Sequence, residues 1–166
     1  MQQLWQAAAD GRVEVVSTDD AGMPSEERVR LGSGRFDKIT NGMPGIEPRL
    51  AILYTEGVYK GRINLPRLVA LTSSNPARLF GMYPRKGHLS PGADADVVIY
   101  NPQGEWTMSA ANLHMNDVFC PFEGWQIQGR VETVLSRGQF VVRDGAMCGK
   151  AGHGQRVMRK LPQGSA

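Results

Sequence analysis

The chain has 166 residues, 41% of them apolar and 21% charged, which is enough for one ordinary domain with its own core and too apolar for a disordered segment. A net charge of +3 with no basic run longer than two adjacent residues argues against a nucleic-acid footprint, and "PRKGH" and "RVMRK" read as solvated surface. No stretch approaches the roughly 18 consecutive apolar residues of a membrane span, and "MQQLWQAAADGR" lacks the basic-then-apolar order of a leader, so a soluble cytoplasmic protein is expected.

In chain order, "QQLWQAAA" suits a short helix ended by Asp10 and Gly11, with Gly11 as a left-handed cap. The β-branched run "RVEVVST" then predicts a strand over residues 13–17, closed by two carboxylates, Asp19 and Asp20. Two readings of that pair stand side by side. One is a turn in which Asp bonds its own backbone; the other is a catalytic or metal-binding acid on the rim of a β/α barrel. Residues 20–45, rich in Gly and Pro, read as a long loop.

From Ile46 the spacing turns helical: Ile46, Leu50, Leu53, Tyr54 and Val58 share one face, and Pro48 fits a first turn. "NLPRLVALTS" predicts a second helix with Asn64 as N-cap and Leu65, Leu68 and Val69 buried. "SNPARLFG" predicts a third, capped by Asn75 and stopped at Gly81. After Gly87, "ADVVIY", "RVETVLSRG" and "QFVVRDG" read as short strands, and the near-continuous run Val97, Val98, Ile99 predicts cover on both faces. An α/β part to about residue 85 followed by an all-β part is the expected organisation. Cys120 and Cys148 lack a Cys-x-x-Cys spacing, and a disulfide and free thiols in a reducing cytosol both fit.

At "GHLSPGADADVVIY" the chain resembles amidohydrolases at the point where their barrel gives way to a small β-sandwich. "LTSSNPARLFGMYPRKG" resembles the helical segment before that point, and "TVLSRGQFVVRDG" the closing strands. "FCPFEGWQIQG" and "ITNGMPGIEPRL" narrow the resemblance to the dihydropyrimidinase, or D-hydantoinase, branch of the cyclic amidohydrolases. The motifs come in the family's order and cover nearly the whole chain. The resemblance implies the C-terminal portion of such an enzyme. Residues 1–85 would carry the last β/α unit of a TIM-like barrel, 86–150 part of the β-sandwich, and 151–166 a tail. In "PGADADVV", Asp94 and Asp96 read as turn acids that satisfy backbone amides where the strand begins.

The same resemblance places Asp19 at the end of the eighth barrel strand. There it implies a ligand of a binuclear zinc site that also carries a proton from the attacking water to the leaving amide nitrogen. A carboxylate suits both tasks, since it ligates hard divalent ions and is basic enough to accept that proton. Many relatives have His where this chain has Asp20, which reads as a loop acid. Asn41 aligns with the loop whose backbone grips the substrate's ring amide; an Asn-Gly pair is also a good turn former, and both readings stay open.

The family's metals further require a His-x-His pair, a carboxylated Lys and single His residues on other strands. No His-x-His occurs here, and His88, His114 and His153 match no metal position. The expectation is therefore an incomplete site, and a truncated gene product, a split enzyme and an excised piece are all compatible with it. The leading reading is a portion of an enzyme that opens dihydropyrimidine or hydantoin rings to N-carbamoyl amino acids, inactive alone. The competing class is a non-catalytic β-rich interaction module. A lone barrel strand with unpaired edges calls for a complementing N-terminal portion or self-association, and in a monomer residues 20–45 would be poorly anchored.

Overall fold

The computed structural model of the chain describes residues 1–22, 24–39, 41–115 and 119–159. Its first helix, α1 (Gln2–Ala9), lies where expected and turns off through Gly11 at φ 92°. The next stretch departs from expectation. Residues 13–19 form neither helix nor ladder; their backbone bonds to helical residues instead of another strand. Val13 N–H donates to Ala7 O at 3.0 Å and Val16 N–H to Leu71 O at 3.2 Å. Asn75 Nδ2 donates to Glu14 O at 2.9 Å, and the Arg67 guanidinium reaches Ala8 O and Val13 O. A strand is defined by its neighbour, and among the described residues the only such pairing here is one parallel bridge, Asp20 with Met43.

The stretch read as a loop holds a helix, α2 (Ser25–Gly32), and a 3-10 turn over Phe36–Lys38. It is anchored through Arg28, described below. The helix from Pro48 begins as α3 (Pro48–Ile52) and widens into a π-helical turn over Leu53–Tyr59. Ile46 precedes it and is exposed. Asn64 caps α4 (Leu65–Val69), its Oδ1 accepting from Arg67 N–H at 2.9 Å, and here too a π turn follows, over Ala70–Ser74. Leu68 is buried, but Leu65 and Val69 are not. Helix α5 (Asn75–Leu79) continues directly from that turn, so Asn75 lies within a helical run and is not its cap.

The C-terminal half forms an antiparallel meander of β1 (Val97–Thr107), β2 (Gln126–Ser136), β3 (Gln139–Arg143) and β4 (Ala146–Met147), in the order β1-β2-β3-β4. Val98 pairs with Val134, Val134 with Val142 and Val142 with Met147, so an apolar row crosses every strand. The two ends of that row, Val98 and Met147, are exposed, while Val134 and Val142 are half-buried. Val98 is 50% and Ile99 48% exposed, contrary to the burial their sequence predicts.

Two cores hold the elements together. Leu53, Ile63, Leu68 and Leu71 meet Ala8, Trp5, Val13 and Val16 in the first. Ala51, Met108, Cys120 and Ile127 form the second, so the helix from Pro48 to Tyr59 serves both. Its Thr55 Oγ1 accepts from Gln128 N–H at 3.0 Å, and Tyr54 lies against Tyr100 with ring centroids 4.6 Å apart. Among the described residues, no helix is long and apolar enough to cross a membrane.

Candidate functional site

The segment after α1 ends at Asp19, whose φ of 48° is left-handed, a conformation that Asp tolerates better than most residues. Asp19 is exposed, and its carboxylate makes no hydrogen bond among the described residues. Beside it runs the loop from Asn41. Ala21 N–H donates to Met43 O at 3.4 Å, which closes the parallel bridge. Gly42 packs so tightly that an added Cβ would stand 2.6 Å from Ala21 Cβ and 3.0 Å from Asp19 O. With φ at 86°, only glycine fits that position comfortably. The fold thus brings together the Asp19 turn and the Asn41 loop, and Asn41 itself is exposed.

Two further side chains hold this arrangement. Asp20 Oδ1 accepts from Gly45 N–H at 2.5 Å and from Ile46 N–H at 2.9 Å. From α2, Arg28 donates through Nη1 to Gly42 O at 2.9 Å and through Nη2 to Ala21 O at 2.7 Å. Asp20 is therefore more than a loop acid. Arg28 lies in a helix with no apolar periodicity, and no sequence signal marks it. The histidines go elsewhere: His114 binds Glu47 through its backbone N–H at 2.6 Å and Nδ1 at 2.7 Å, and His153 lies against Arg137 and Ser136 O. His88 packs on Tyr83, with ring centroids 5.1 Å apart.

Asp94 pairs with Arg85 and Lys86, while Asp96 accepts from Arg137 N–H at 2.8 Å and pairs with Lys86, so both turn acids are structural. Both cysteines are free. Burial pushes the Cys120 thiol up, which suits a neutral packing group better than a nucleophile.

Zinc sites of hydrolases draw on about three protein donors, with an open position for water. Among the described residues, no three His, Cys, Asp or Glu side chains gather into such a group. Asp19 is one exposed carboxylate, and the donors among the described residues do not by themselves fit the metal.

Residues 36–142 match the model of the amidohydrolase family, and the chain belongs to that family of metal-dependent hydrolases. Within it, the match is to the D-hydantoinase and dihydropyrimidinase branch. A D-phenylhydantoinase of Escherichia coli O1:K1 is 43% identical over 158 residues, which is 95% of this chain and 34% of the relative. The D-hydantoinase of Bacillus sp. AR9 superposes with a TM-score of 0.92 at 47% identity, over 95% of this chain and 35% of that one. The dihydropyrimidinase of Brevibacillus agri NCHU1002 gives the same TM-score at 44% identity, over 95% of this chain and 34% of its own. This chain spans about a third of the length of these relatives.

Proposed function

We propose that the chain is the C-terminal portion of a cyclic-amide hydrolase, opening dihydropyrimidine or hydantoin rings to N-carbamoyl amino acids at a site completed by the part of the fold that this chain does not span. In this reading residues 1–85 are the last β/α unit of a barrel and 86–150 part of a β-sandwich. The observation that carries it is the meeting of the Asp19 turn with the Asn41 loop, tight enough that Gly42 admits no side chain. An acid that is exposed, and whose carboxylate is uncommitted among the described residues, stands beside the loop that would hold a ring amide.

Asp19 accepts the proton of the attacking water and returns it to the leaving nitrogen, so one group acts first as base and then as acid. The backbone of the Asn41 loop fixes the ring so that the scissile amide lies over that carboxylate. Among the described residues Asp19 is the one metal ligand offered; the rest of the donor set lies in the part of the fold that this chain does not span. The chain alone is therefore expected to hydrolyse neither dihydrouracil nor hydantoin at any added zinc concentration.

The test mixes the full chain with a polypeptide carrying the remaining two-thirds of a relative's fold and follows hydantoin ring opening. Asp19→Asn keeps the shape but cannot accept the proton, so turnover should fall by about 10²–10⁴ with an unchanged circular dichroism spectrum. A loss smaller than about tenfold would refute the role of Asp19. Zinc-dependent turnover by the rigorously pure chain would overturn the reading that the site is completed elsewhere.

A further inference from the structure

We infer that Asp20 and Arg28 are positioning residues of this site, a two-point clasp that fixes the Asn41 loop against the Asp19 turn. The inference rests on the reading of Asp19 and Asn41 as the acting pair and adds what holds them in register. Asp20 Oδ1 takes both amides at the far end of the loop, Gly45 at 2.5 Å and Ile46 at 2.9 Å. Arg28 takes the carbonyls on both sides of the bridge, Gly42 O on the loop and Ala21 O on the segment after Asp19. Among the described residues a single parallel bridge joins the two segments, and its Ala21 N–H to Met43 O hydrogen bond is long at 3.4 Å. Side chains must therefore do what a ladder does elsewhere. Charged partners suit that task, because a hydrogen bond with one ionised member is stronger than a neutral one.

The geometry also separates the two neighbouring acids. Asp20 spends an oxygen on two loop amides, whereas Asp19 keeps its carboxylate uncommitted among the described residues. Asp20 acts through the loop and does not touch the reacting atoms. Removing it should let the Asn41 peptide drift from the ring it grips. Substrate binding suffers first, since a misplaced loop weakens the ground-state and transition-state grip alike.

The experiment compares Asp20→Ala, Asp20→Asn, Arg28→Gln and Asp19→Asn in the full chain by amide hydrogen exchange, then in the reconstituted enzyme by kinetics. Asp20→Ala should lower the protection of Gly45 and Ile46 by about tenfold, and Arg28→Gln should lower that of Ala21. Asn at position 20 retains an acceptor oxygen and should restore most of the protection, while Asp19→Asn should leave all three amides unchanged. In the reconstituted enzyme, Asp20→Ala should raise KM with a smaller effect on kcat, and Asp20→Asn should stay close to the unsubstituted chain. Unchanged protection of Gly45 and Ile46 in Asp20→Ala overturns the clasp. So does an Asp20→Asn enzyme that loses kcat as fully as Asp20→Ala at constant KM, because Asp20 would then act as an acid or base. If the unsubstituted chain gives no turnover on reconstitution, the hydrolase reading fails, and hydrogen exchange alone decides whether the clasp exists.

Discussion

Lys86 sits between two carboxylates, with its Nζ 2.8 Å from Asp94 Oδ2 and also paired with Asp96. Partial burial pushes the Asp96 carboxyl up, but Lys86 and the Arg137 N–H outweigh it and hold the group below its ordinary value near 3.8. Lys86, and after it Arg85, hold Asp94 below that value as well. A carboxylate whose value is lowered by folding stabilises the fold at every pH above its unfolded value. That contribution disappears as pH falls through the lowered, folded value. The unfolding midpoint should therefore be insensitive to these groups between pH 7 and about 4 and fall below that. Lys86→Met should flatten the acid limb in urea melts recorded from pH 7 to 3. An acid limb as steep as that of the unsubstituted chain would show that the pairs contribute nothing.

Elements differ from residues in how far their surroundings decide them. The helices at Gln2, Pro48 and Leu65 are legible from local chemistry: an apolar face, a proline in the first turn and the Asn64 cap. Helix α2 is not, because "SEERVRLG" has no buried apolar stripe and both Val29 and Leu31 are exposed. The π turns after α3 and α4 rotate later residues out of the 3.6-residue period, a shift that the spacing rule for buried positions does not contain. For the candidate site, the acid pair and the Asn-Gly loop can be read directly, since each is a local signal. Their joining is not, because the amides of Gly45 and Ile46 reach Asp20 across some 25 positions of chain.

The sheet shows the same limit from the other side. An apolar run does predict a strand that is made to be covered, but burial depends on what lies over it. Val98 is half-exposed here, so Val98→Asp in the isolated chain should cost less than about 1 kcal/mol, as surface substitutions usually do. A melting shift equivalent to several kcal/mol in dilute solution would mean that the row is covered after all.

In the whole molecule, the helical and sheet halves meet along one helix. Thr55, 3% exposed, gives the Gln128 N–H its partner at 3.0 Å, and Ala51 packs against Met108 and Ile127 nearby. Thr55→Val keeps the shape and removes the acceptor. The stranded amide should cost about 1–3 kcal/mol, with the helical and β signals in circular dichroism lost in one transition. Separate transitions would show that the two cores unfold independently. The lone bridge between Asp20 and Met43 has a further consequence, which concerns chain length. It closes the excursion that runs from Ala21 through α2 to Gly42, and the entropy of closing a loop rises only with the logarithm of its length. Doubling the excursion would add about 0.6 kcal/mol. Residues can thus be inserted between α2 and the 3-10 turn, over 33–35, at small cost. One residue added between Gly42 and Gly45 would instead slide the amides off the Asp20 carboxylate. The site tolerates almost any length of chain on its way out and almost none on its way back.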